Sequence, residues 1–101
     1  MIAEFSIFPV GKGEHLSQYV APMIKIVKES GLPYKLTAMA TIVEGDADQV
    51  FDLVKKCHAK MMEDSNRVVA TIRIDDFKGR TGRLAGKIKS VEEKLGEEVE
   101  K

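Results

Sequence analysis

The chain has 101 residues, 16 basic and 16 acidic side chains, and no formal net charge. That length sets the expectation of one domain over residues 1–101 with a single modest core, and a hydrophobic fraction of 44% is too high for a disordered chain. Neutrality speaks against a general nucleic-acid binder and gives no pull toward anionic membranes, while leaving self-association electrostatically unopposed.

Residues 2–10 alternate, with Ala3, Phe5 and Ile7 on one face and Glu4, Ser6 and Phe8 on the other. Period two with β-favouring residues predicts a strand that ends near Pro9, which has no N–H for a ladder. Gly11-Lys12-Gly13 reads as a turn. Leu16, Tyr19, Val20, Met23, Ile24 and Val27 form a helical stripe over residues 15–30. Pro22 fits that helix only if the helix starts near Ser17 or kinks at the proline. Gly31 and Pro33 end it.

Residues 34–44, YKLTAMATIVE, are long for one strand, so a tight hairpin or bulge is expected near residues 38–41. Continuous alternation would put Leu36, Ala38, Ala40 and Ile42 on the helix-facing side and Lys35, Thr37, Met39, Thr41 and Val43 on the other. Asp46 followed by Gln49 is a capping box that opens a second helix with the stripe Ala47, Val50, Phe51, Val54, Cys57 or His58, and Met61. After a turn at Ser65-Asn66, RVVATIRID is a last strand, with Val68, Ala70, Ile72 and Ile74 opposite Val69, Thr71, Arg73 and Asp75. Leu84, Ile88, Val91 and Leu95 then mark an amphipathic C-terminal helix.

The order β-α-β-β-α-β plus a helix predicts an α+β, ferredoxin-like fold: an antiparallel four-stranded sheet, order 4-1-3-2, with two helices on one face. The open face would carry Glu4, Ser6, Phe8, Thr37, Met39, Thr41, Val69, Thr71, Arg73 and Asp75. Phe8, Met39 and Val69 would make it an apolar patch, covered by a second subunit or by the last helix.

The chemistry-bearing residues are few. Ser6, Thr37, Thr41 and Thr71 place hydroxyls on the open face, which reads either as strand propensity or as a polar floor with Phe8 and Met39 as apolar walls. Glu44 ends a strand, where its carboxylate can accept from an amine or aminopyrimidine. Arg73 either pairs with Asp75 or grips a ligand. Lys78, Arg80 and Arg83 lie with Gly79 and Gly82 just before the last helix, where a phosphate can bind, although no Walker loop is present. His58 reads as a structural, partly buried side chain or, on a thinner case, as the base of a small hydrolase. There is no metal-ligand spacing and no nucleophile elbow, so no cofactor is expected. The only cysteine, Cys57, leaves no intrachain disulfide and no cysteine-ligated iron–sulfur cluster. A cytoplasmic location is expected, since MIAEFSIFPV reads as a strand rather than a leader and no apolar run nears the ~20 residues of a membrane helix.

The stretches EFSIFPVGKG, SQYVAPMIKIVKESGLPYKLTAMATIVEG and RVVATIRIDDFKGRTG resemble, in order and spacing, the thiamine-binding-protein family. Ser30-Gly31-Leu32 followed by Tyr34, the hairpin residues Thr37, Met39 and Thr41, Glu44-Gly45, His58 and Arg73-x-Asp75 carry the likeness. The resemblance implies a non-enzymatic protein that binds thiamine or its hydroxymethylpyrimidine part and associates through its sheets into dimers or tetramers. It implies that Ser6, Phe8, Thr37, Met39 and Thr41 approach the ligand, with Glu44 or another carboxylate near its amino group. With no tryptophan in the chain, Phe8 is the main open-face ring and Met39 a softer substitute. A self-association module without a ligand is the alternative.

Overall fold

A computed structural model of the chain describes residues 1–101. Its elements run β1 (Ile2–Pro9), α1 (Ser17–Glu29), β2 (Tyr34–Leu36), β3 (Thr41–Glu44), α2 (Ala47–Met62), β4 (Val68–Asp75) and α3 (Arg83–Leu95). The strands form one antiparallel sheet in the order β2-β3-β1-β4, the predicted order read from the other edge. The fold is α+β and ferredoxin-like, with α1 and α2 packed together over β1.

Alternation in β1 builds the core. Ala3, Phe5 and Ile7 are almost fully buried and meet Met23 and Val27 of α1, Val43 of β3, and Val50, Leu53, Val54, Cys57 and Met61 of α2. α1 starts at Ser17, and the exposed Pro22 leaves the Gln18 carbonyl, its missing partner, to solvent. α2 opens on the predicted capping box: Gln49 N–H donates to Asp46 Oδ1 at 2.8 Å, and Asp46 N–H to Gln49 Oε1 at 3.0 Å. Cys57 is sealed under α2, and burial pushes its thiol up to about 11, so it is unreactive at neutral pH. His58 differs from expectation: it is exposed on α2, because the turn of the helix that buries Cys57 and Met61 points its neighbour outward.

The β2-β3 hairpin overturns one face assignment. Its turn, residues 37–40, has an even number of residues, and Leu36 pairs with Thr41. Paired residues share a face, so the parity of an uninterrupted strand is reset here. Thr41 and Val43, paired with Phe5 and Ala3, point to the helices and are buried, while Ile42 lies on the open face. Thr37 and Met39 belong to the turn rather than to a strand face.

The last helix is anchored at one end only. Gly82 adopts a left-handed conformation (φ 66°) and brings no capping side chain. The cap comes from Glu44, whose Oε2 and Oε1 accept the N–H groups of Arg83 and Leu84 at 2.8 and 3.1 Å. From there α3 leaves the body, with Ile88, Val91 and Leu95 exposed and no residue buried. The radius of gyration is accordingly 15.0 Å, against about 13 Å for a compact chain of this length.

Candidate functional site

β1 is longer than its neighbour β3. Its pairing with β3 stops at Phe5–Thr41, whereas pairing with β4 continues to Pro9–Val68. Above Thr41 the sheet therefore has a notch, bounded by the upper half of β1, the hairpin turn and the start of α1. This cavity of about 260 Å³ is lined by Phe5, Ser6, Ile7, Phe8, Leu16, Val20, Met23 and residues 36–41. It brings together five of the expected ligand residues: Ser6, Phe8, Thr37, Met39 and Thr41. Mostly apolar walls with few polar groups are the usual make-up of a small-molecule site, and the volume suits one heterocycle.

The hydroxyls in the notch are not equivalent. Thr37 Oγ1 donates to Ala40 O at 2.8 Å and accepts from the N–H groups of Met39 and Ala40 at 3.3 and 3.1 Å. One donor and two acceptor positions are all a hydroxyl has, so Thr37 holds the turn and has nothing left for a ligand. Thr41 is 3% exposed, and its hydroxyl forms no hydrogen bond within the chain and is not sealed off. Ser6, half-buried on the open face opposite Thr71, likewise has no partner. Phe8 is partly exposed and Met39 86% exposed, so the outer wall is adaptable.

The remaining expected residues lie elsewhere. Glu44 is nine-tenths buried at the opposite end of β3, with both oxygens bound to α3. Arg73 and Asp75 do not pair with each other: Arg73 approaches Glu4 at 3.7 Å, and Asp75 takes Arg83 and Lys87 at 2.8 and 3.1 Å. The reason is the docked helix, which brings two cations to Asp75. Lys78, Arg80 and Arg83, the residues expected to hold a phosphate, lie in the loop before α3 and at its first residue. The anion position at the helix N-terminus is filled by the protein's own Glu44, and Arg83 is held by Asp75. Arg80 and Arg83 flank the Phe77 ring at 5.0 and 5.3 Å. Arg80 borders a cavity of about 650 Å³ whose carboxylates already have partners: Glu44 caps α3, Asp46 caps α2 and Asp76 faces the N-terminus. The groove between α1 and α2, about 550 Å³, is lined by solvated ion pairs such as Asp52–Lys56 and Lys60–Glu63. No cluster of three His, Cys, Asp or Glu side chains is placed to hold a metal. No helix is long and apolar enough to cross a membrane.

Hydrogen bonds from Arg83 and Lys87 pull the Asp75 carboxyl from its ordinary 3.8 to about 2. A carboxyl depressed by folding stabilises above its unfolded value, and that contribution is lost as pH falls from 3.8 toward 2. Helical signal from α3 is therefore expected to fall in an acid step below pH 4, followed by circular dichroism at 222 nm. Asp75→Asn should remove the step; an unchanged acid profile in that variant contradicts the assignment.

A sequence profile described as thiamine-binding protein matches residues 3–92. The UPF0045 protein MJ1052 of Methanocaldococcus jannaschii is 36% identical over 93 residues, covering 92% of this chain and 93% of that protein. Its crystal structure superposes with a TM-score of 0.83 over 91% of this chain and 95% of that one. The UPF0045 protein YqgV of Bacillus subtilis is 35% identical over 93% of this chain and 96% of its own length. A crystal structure of a Thermotoga maritima protein, described as a thiamine biosynthesis/salvage protein, has a TM-score of 0.76. It is 21% identical over 89% of this chain and 96% of that one, a likeness of fold.

Proposed function

The chain belongs to the thiamine-binding protein family, and from that premise we propose that it binds thiamine or its hydroxymethylpyrimidine part in the notch beside β1, without catalysis. The observation that carries this reading is the gathering of apolar walls with Ser6 and Thr41 around one small cavity. The pyrimidine enters the notch, and the second ring of thiamine stays toward Met39 and Phe8. A hydrolase reading would rest on His58, which is exposed on α2. Calorimetry with thiamine, hydroxymethylpyrimidine and their phosphates tests the proposal. Saturable heat with at least one is expected, and no heat at millimolar ligand overturns it. Thr41→Val keeps the side-chain shape and removes the hydroxyl, so affinity should fall about tenfold with little loss of fold stability. Equal affinity in that variant takes Thr41 out of the site.

Self-association belongs to the same reading, with a second copy as the occupant. β4 leaves one edge unpaired along its whole length, and an antiparallel edge can pair with its own copy about a two-fold axis. Ile72, Ile74 and Phe51 are exposed, and so is the stripe of α3. Such surface on a neutral chain calls for cover. Sedimentation at micromolar concentration should give a species heavier than one chain; a monomer contradicts this part while leaving ligand binding standing. A protein that assembles but takes no ligand would be the self-association module.

A further inference from the structure

The notch contains a second kind of unpartnered group, in the backbone of β1. On the β3 side, Met1 C=O accepts from Gly45 N–H at 3.0 Å; on the β4 side, Val10 N–H donates to Arg67 C=O at 2.8 Å. Successive residues of a strand present their N–H and C=O to opposite neighbours. Ala3, Phe5 and Ile7 therefore face β3, and Ser6 and Phe8 face β4. For Ile7 there is no β3 left to face, because that strand begins at Thr41 opposite Phe5. The residue in register beyond it, Met39, is in the turn, with its N–H bound to Thr37 Oγ1. Neither backbone group of Ile7 forms a hydrogen bond, yet the residue is 2% exposed and borders the notch. Buried backbone groups without partners are rare. Here a donor and an acceptor share that condition, side by side and aimed at the same space.

We propose that the N–H and C=O of Ile7 are the edge that reads the ligand, and that they select a planar heterocycle with an amino group beside a ring nitrogen. This rests on the notch being the ligand site. Ile7 N–H donates to the ring nitrogen, and Ile7 C=O accepts from the adjacent amino group. The heterocycle takes the place of the missing strand's peptide group, hydrogen-bonding in its own plane as a paired strand does. The apolar walls lie above and below it, and Thr41 Oγ1 supplies a further contact. An analogue without the amino group leaves the buried carbonyl unpaired, and a site built around a polar pair rejects such a ligand more strongly than an apolar pocket rejects a missing methyl.

Exchange of the Ile7 amide for an ester tests the assignment in the full chain. Cys57 provides a ligation point for joining synthetic residues 1–56 to residues 57–101. The N–H removed makes no internal hydrogen bond, and the exchange weakens only the Ser6 carbonyl as an acceptor toward β4, so the ester chain should fold with a loss of about 1 kcal/mol. Calorimetry would use 4-amino-5-hydroxymethyl-2-methylpyrimidine and its analogue lacking the amino group. The all-amide chain should bind the amino compound at least about tenfold more tightly than the analogue, and the ester should weaken the amino compound about tenfold. Equal binding to ester and amide chains overturns the role of Ile7 and leaves the ligand reading intact. No binding to the all-amide chain removes both. Should the ester chain fail to fold, the Ile7 amide proton resonance of the unmodified chain decides. A downfield shift on saturation supports the assignment, and an unmoved resonance beside a bound ligand overturns it.

Discussion

Phe5→Ala should cost about 3–5 kcal/mol, the largest loss expected from a single truncation in this chain. Phe5 is 1% exposed, sits in the middle of the core cluster and forms a wall of the notch. Its removal takes away packing against α1 and α2 and opens a cavity that the sheet cannot close, because Phe5 is pinned by ladders to Thr41 and Ile72 on both sides. Small domains hold only about 5–15 kcal/mol in total, so the melting temperature should fall by roughly 15–30 °C. Phe5→Leu, which keeps most of the volume, should lose much less. Urea titration of both variants is the check, and a loss under about 1 kcal/mol for the alanine variant would contradict the placement of Phe5 in the core.

Glu44→Ala should release α3. Its carboxylate is the only side chain that caps this helix, and it does so from a sequence distance of 39 and 40 residues. Truncation leaves two N–H groups without their charged partner, a loss of about 2 kcal/mol on the docking of the helix. Because α3 buries no residue, the effect is local: the core keeps its stability, and the helix opens more often. Hydrogen exchange at Lys87 and Ile88 should quicken about 30-fold, the equivalent of 2 kcal/mol, while amides of β1 keep their protection. Unchanged exchange in α3 would mean that Asp75, with Arg83 and Lys87, holds the helix alone.

Much of the fold is legible in the residues because local signals agree. Ala3, Phe5 and Ile7 alternate cleanly, Asp46 and Gln49 close a capping box within one turn, and Gly31 and Pro33 end α1 where the stripe ends. The hairpin is where local reading stops. A turn anywhere in YKLTAMATIVE satisfies the composition, but only a turn with an even number of residues returns Thr41 to the helix side. That shift decides which hydroxyl is free: Thr37 is consumed by the turn, and Thr41 faces the notch. Glu44 was legible as an acceptor but not as a cap, because its donors lie on an element whose docking no local pattern specifies. The same holds for Asp75 and its partners on α3. Ile7 carries no sequence signal at all as a site residue. Its role comes from where the neighbouring strand ends, a property of the sheet and not of the residue.

The most direct test of the notch as the ligand site is a titration of isotopically labelled protein with 4-amino-5-hydroxymethyl-2-methylpyrimidine, followed by amide chemical shifts. Saturable shifts should concentrate at Ile7, Phe8, Val20 and residues 37–41, all bordering the notch. Saturable shifts around Phe77, Arg80 and Gly82 instead, or none at millimolar ligand, would contradict the account.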